Sequence, residues 1–100
     1  MAFAPPPRHP AVVSDLTVRH RLDLPYERLA TAVRAAAPVW LESVTPVVRY
    51  QGEGVGPDEV KTTLRLTYRH PERSLTQDEV NAAHFVVREA LARQLGVSFS

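Results

Sequence analysis

Two hydrophobic spacings meet in the second half of this chain, and the sequence marks the place where one gives way to the other. From Glu59 to Arg69 apolar residues recur at every second position. Leu64, Leu66 and Tyr68 fall on one side and Lys61, Thr63, Arg65, Thr67 and Arg69 on the other, the period of a strand with one buried face. Shortly after it, Leu75-Thr76-Gln77-Asp78-Glu79-Val80 supplies Thr76 as N-cap, Glu79 as its capping-box partner, and Leu75 with Val80 as a hydrophobic staple. A helix has to begin there. Val80, Ala83, His84, Val87, Leu91 and Leu95 form its apolar stripe, and Gly96 suits a left-handed end. Val97-Ser98-Phe99-Ser100 alternates once more and reads as a short last strand.

The first half repeats the theme. Val12 to Arg21 alternates, with Leu16, Val18 and His20 on one side and Asp15, Thr17, Arg19 and Arg21 on the other. Pro25 fits a first helical turn, where its missing N–H is no loss, and Leu29, Ala32, Val33 and Ala36 follow at helical spacing until Pro38. Trp40 to Tyr50 is rich in β-branched and aromatic residues and reads as a strand. The segment from Gln51 to Asp58 holds three of the four glycines and reads as a hairpin loop. It lies between strands and carries Glu53 and Asp58, which argues against a phosphate-binding glycine loop.

The order is therefore βαββαβ. Two right-handed β-α-β crossovers place the first and third strands at the centre of the sheet. The expected fold is α+β, a ferredoxin-like βαββαβ sandwich with a four-stranded antiparallel sheet and two helices on one face. Residues 1–9, with Pro5-Pro6-Pro7, read as a proline-rich lead-in, and residues 10–100 as one domain. Met1 fits a complete stand-alone protein.

Composition narrows the chemistry. At 100 residues there is room for one core. No apolar run is long enough to span a bilayer and no basic segment precedes an apolar one at the start, so a cytoplasmic protein without membrane contact is expected. The lack of cysteine removes disulfides, thiolate nucleophiles and zinc–thiolate sites together. His9, His20, His70 and His84 show no metal-ligand spacing, and no cofactor motif is present, so neither metal nor cofactor is expected. His84, on the apolar stripe, is expected to be structural and satisfied by a backbone or hydroxyl partner. No serine lies in a nucleophile elbow, and Asp23 occupies the turn where an acylphosphatase-like site would hold an anion. The chain is therefore expected not to be an enzyme.

The net charge of +1 hides an uneven distribution: the strand segments carry Arg19, Arg21, Arg49, Lys61, Arg65 and Arg69 against Asp15. The sheet is therefore expected to be basic on average, a solvated polar face being the plain alternative to an RNA contact. The outward positions Thr17, Arg19, Thr63, Arg65 and Thr67, however, lack the aromatic residues with which an ordinary RNA-recognition motif stacks bases.

Several short runs carry a more specific signal: Arg8-His9-Pro10-Ala11 with Asp15-Leu16, Leu41-Glu42-Ser43-Val44, Tyr50-Gln51-Gly52, and above all Tyr68-Arg69-His70-Pro71-Glu72-Arg73-Ser74-Leu75-Thr76 with Glu79-Val80-Asn81. Through these the chain from Pro10 onward resembles the ferredoxin-fold anticodon-binding domain at the C-terminus of the bacterial phenylalanyl-tRNA synthetase β subunit. The resemblance implies a non-catalytic domain that holds the anticodon end of a tRNA or another structured RNA. It implies that Tyr50 stacks on a base and that Lys61 and Thr62 lie close to the RNA. With the outward cations Arg65 and Arg19, the candidate RNA-binding set is Tyr50, Lys61, Thr62, Arg65 and Arg19. The ring of Tyr50, before a glycine-rich hairpin, is expected to project past the sheet edge.

This sequence departs from the family pattern at reading positions. Val47-Val48 stands where the family has Phe-Asp, Ser14 where it has Arg, and Val60-Lys61-Thr62 where it has Lys-Ser-Leu, which shifts the cation relative to the pleat. Scaffold motifs kept while reading positions drift imply altered or relaxed RNA specificity in a free-standing relative. An alternative of a different class stays open: a protein-interaction or dimerisation module that retains only the fold. Phe85 and Val86 lie off the core stripe beside Ala82, a candidate homodimer surface unless they are isolated or wrapped by the N-terminal prolines.

Overall fold

Alternation builds the sheet. The computed structural model describes residues 9–99, so most of the proline-rich lead-in falls outside the described residues. Strands β1 (Val12–Arg21), β2 (Leu41–Tyr50), β3 (Glu59–Tyr68) and β4 (Ser98–Phe99) form one antiparallel sheet in the order β2-β3-β1-β4. Helices α1 (Tyr26–Ala36) and α2 (Gln77–Leu95) complete the βαββαβ order. The fold is the expected ferredoxin-like α+β arrangement, with β1 and β3 central. No helix among the described residues is long and apolar enough to cross a membrane.

The core lies between helices and sheet. Leu16 and Val18 of β1, Leu64, Leu66 and Tyr68 of β3, Leu29 and Val33 of α1, and Val80, Val87 and Leu91 of α2 are buried in one cluster. Each such aliphatic side chain contributes roughly 1.5–3 kcal/mol through burial. Trp40 lies against Tyr68, ring centroids 5.5 Å apart and planes tilted by 60°. The Tyr68 hydroxyl is buried without a hydrogen-bond partner, and burial pushes its pKa up to about 12.

Both helices stop and start for local reasons. Pro25 caps the start of α1 without a side-chain hydrogen bond, and Ala37, the residue before Pro38, leaves the helical region at φ −78°, ψ 155°. At α2 the capping box is formed: Thr76 Oγ1 accepts from the Glu79 amide at 3.2 Å, and the Thr76 amide donates to Glu79 Oε2 at 2.9 Å. Arg73 donates Nη1 to the same carboxylate oxygen at 2.8 Å. That bond, with the backbone bond from Thr76, holds the Glu79 carboxyl well below the usual range, at about 2. Gly96 ends the helix at φ 66°, the left-handed conformation the sequence calls for.

Strand β2 is an edge strand, and its pairing with β3 is interrupted twice, at Glu42 and at Val47, each an extra residue opposite an unbroken partner. Pro46, which has no N–H to offer a ladder, precedes the second bulge.

Candidate nucleic-acid interface

The face of the sheet away from the helices carries the outward-pointing residues of all four strands. In antiparallel pairing, directly opposed residues point to the same side, so the register reads off the rows that cross this open face. One row joins Tyr50, Lys61, Arg19 and Ser98; the next joins Val48, Thr63 and Thr17; the next joins Thr45, Arg65 and Asp15.

These rows differ in charge balance. Arg65 makes a two-pronged ion pair with Asp15, Nε to Oδ1 at 2.9 Å and Nη2 to Oδ2 at 3.0 Å. The guanidinium holds the Asp15 carboxyl below its ordinary value and is itself held charged. The Thr17 and Thr63 hydroxyls are hydrogen-bonded to each other at 2.9 Å. Arg69 pairs with Glu42 at 3.0 Å. In the first row the charges are far less compensated: Arg19 reaches Glu59 only at 4.0 Å, and Lys61 has no ion-pair partner among the described residues. The least compensated cations of these rows therefore stand beside Tyr50.

Tyr50 reaches this face because of the Val47 bulge. Counting by twos from the buried Val44 would turn residue 50 toward the helices. The extra residue reverses the parity, so that Val48 opposes Thr63 and Tyr50 opposes Lys61. The ring does not project past the sheet edge as expected. It folds back onto the hairpin, its hydroxyl donating to the Glu53 carbonyl at 3.0 Å. A Cβ at Gly52 would stand a tight 3.2 Å from that hydroxyl, and the φ of 153° there is one that other residues rarely adopt, so the position favours glycine. Tyr50 remains 45% exposed.

Of the five candidate residues, the structure brings Tyr50, Lys61, Arg19 and Arg65 to one face and takes Thr62 away from it. Thr62 is 2% exposed and turned to the interior, where its hydroxyl meets His20 Nε2 at 2.7 Å. The correction follows from the pleat itself: once Lys61 points outward, Thr62 points inward. His20 Nδ1 in turn donates to the Arg21 carbonyl at 2.9 Å, so in the neutral ring Nε2 accepts from the Thr62 hydroxyl. Burial, with a smaller contribution from Arg49, lowers the His20 pKa. The satisfied interior histidine is thus His20. His84 is only partly buried; its Nδ1 has no partner, while a backbone hydrogen bond with Asp15 acts on the ring.

Two features of the face were missed in the sequence. The Asp15–Arg65 pair joins residues 50 positions apart, and only the register brings them opposite. The Val47 bulge had a local signal, Pro46 inside an otherwise β-rich run. On α2, Phe85 and Val86 are 60% and 53% exposed, as expected for residues off the core stripe.

The model of the ferredoxin-fold anticodon binding domain matches residues 7–99. The chain is 44% identical over 89 residues to the phenylalanine–tRNA ligase beta subunit of Symbiobacterium thermophilum, covering 89% of this chain and 10% of that protein. It is 36% identical over 95 residues to the same subunit of Parasynechococcus marenigrum, covering 95% of this chain and 12% of that one. For the Pseudomonas savastanoi subunit the identity is 31% over 91 residues, covering 91% and 12%. The chain thus spans about a tenth of the length of these relatives. With the fold, the capping-box run and a match over nearly its whole length, the chain belongs to the ferredoxin-fold anticodon-binding domain family.

Proposed function

We propose that this chain binds the anticodon region of a tRNA, or an equivalent structured RNA, on the open face of its sheet, and does so without a catalytic step. The observation that supports this best is the row Tyr50–Lys61–Arg19: one half-exposed aromatic ring beside two weakly compensated cations. An aromatic ring offers any base a stacking surface, and neighbouring cations attract the phosphates on either side of it. The relatives are subunits of a tRNA ligase, which agrees in ligand class. Val48 stands in the adjacent row where the family has an acidic residue. It supplies no hydrogen-bond acceptor, so the contact is relaxed in base choice. Arg65 contributes less than its position suggests, because a phosphate has to compete with Asp15 for it.

The test is a titration with total tRNA at several salt concentrations. Affinity is expected to fall with added salt, as phosphate contacts require, and Tyr50→Ala is expected to weaken it. A folded Tyr50→Ala protein with unchanged tRNA affinity overturns the assignment. It would favour an interaction module, for which the exposed Phe85 and Val86 and the apolar groove of about 450 Å³ between Trp40, Ala82 and Val86 provide a surface. In that case light scattering at high concentration should show a mass above that of the monomer.

A further inference from the structure

Where β1 runs out into the turn before α1, the surface holds a second feature, a half-open cavity of about 420 Å³. Arg19 and Arg21 enter it from β1 and Arg28 from the first turn of α1; the connection of Leu95, Gly96 and Val97 closes the opposite side. Two acids, Asp23 and Glu59, also line it. Neither satisfies the cations well. Arg21 has one contact with Asp23 at 3.3 Å, Arg19 lies 4.0 Å from Glu59, and Arg28 makes no ion pair among the described residues. His20 lines the cavity with both ring nitrogens committed and its pKa lowered, so it adds neither a charge nor a free acceptor. Three arginines therefore line the cavity against two loosely held carboxylates, and the planar donor set of a guanidinium fits phosphate oxygens.

We propose that this cavity is a phosphate site, in which a phosphate group sits between Arg19, Arg21 and Arg28 and displaces Asp23 from Arg21. Two sources share this chemistry. One is a backbone phosphate of the RNA, and this source rests on the functional reading above. Arg19 belongs both to this cavity and to the Tyr50–Lys61–Arg19 row, and two strand spacings, about 10 Å, separate it from Tyr50. The other is a free phosphate or nucleotide, which needs no RNA at all.

The experiment uses the full chain, labelled with nitrogen-15, and inorganic pyrophosphate as the probe at low ionic strength. Saturable shifts are expected at the amides of Asp23, Tyr26 and Gly96. Arg28→Ala, an exposed position whose variant is checked by its melting curve, is expected to weaken pyrophosphate about tenfold, the scale of one charge-assisted contact. Asp23→Asn is expected to tighten it, because the internal competitor is removed. Shifts that do not saturate, or equal affinities for wild type and Arg28→Ala, overturn the site. The salt dependence of tRNA binding then separates the sources. A slope reduced by about 0.7 in Arg28→Ala marks an RNA phosphate in the cavity; an unchanged slope in a variant whose pyrophosphate binding is weakened as expected assigns the site to free phosphate. Tyr50→Ala is expected to leave pyrophosphate binding as it is, so loss of the RNA reading and loss of this site give different results.

Discussion

Alternate residues of the same strands face two environments, and the contrast separates what holds this domain together from what it presents. Toward the helices, Leu16, Val18, Val60, Leu64, Leu66 and Tyr68 are buried. On the open face the same strands carry Asp15, Thr17, Arg19, Lys61, Thr63 and Arg65, tied by an ion pair and a hydroxyl pair rather than by packing. Apolar burial is non-directional and large, so the inner face carries the stability. Exposed polar pairs contribute little to it, which leaves the outer face free to change its chemistry without unfolding the sheet.

The largest effect expected from this contrast is on stability. Leu64→Ala should cost about 2–5 kcal/mol in urea unfolding, because a buried side chain is replaced by a cavity. Thr63→Ala, one residue away on the open face, should cost about 1 kcal/mol or less, the scale of its hydrogen bond to Thr17. Equal costs would mean that the two faces are not energetically distinct.

Next comes binding. Tyr50→Ala should weaken tRNA by about tenfold to a hundredfold, the equivalent of roughly 1–3 kcal/mol for one stacked base, with the urea midpoint nearly unmoved. The melting curve and the titration together test whether function and stability reside on opposite faces.

A pH titration reaches the inner face through His20. Its folded pKa lies below the ordinary 6.5 because burial disfavours the charged ring. Between the two values the unfolded chain binds more protons, so stability is present above pH 6.5 and is lost as pH falls below it, by at most about 1.4 kcal/mol per pH unit. His20→Gln should flatten this phase of the urea-midpoint profile; a profile that keeps it would assign the loss to another group.

A gain is expected at Tyr68, whose hydroxyl is buried without a partner. Tyr68→Phe keeps the ring against Trp40 and removes an unsatisfied group, and should stabilise the fold by about 1 kcal/mol. Destabilisation would show that the hydroxyl has a partner after all.

The smallest stability change belongs to Asp15 on the open face. Asp15→Asn should leave the urea midpoint close to wild type, since the pair with Arg65 is exposed. It should nonetheless tighten RNA by a few-fold, because Arg65 no longer has a carboxylate to share. In the wild type, what stability the depressed Asp15 pKa provides is present above its ordinary value of 3.8 and is lost as pH falls through the lowered one, well below the His20 phase.

Much of this was legible in the sequence for a common reason: each legible feature depends on residues close together in the chain. The alternation over Glu59–Tyr68, the Thr76–Glu79 capping box and the Gly96 stop all describe local backbone states, and the βαββαβ order with right-handed crossovers then gives the strand order. The same alternation already placed Thr62 inside. Its assignment to the RNA contact came from a family position and set the pleat aside.

What the tertiary structure alone decided are the relations that cross between strands. The Val47 bulge exists only relative to β3, and it, not the local pattern, turns Tyr50 to the face of Lys61. The Asp15–Arg65 pair, the Thr62–His20 bond and the Arg19–Arg21–Arg28 cavity likewise depend on which residues the register and the helix packing bring opposite one another. Periodicity specifies to which side a residue points, while its neighbours on that side are set by pairing between distant segments. For this chain, the sequence by itself therefore determined the scaffold, and the balance of charge around the candidate site was decided only on folding.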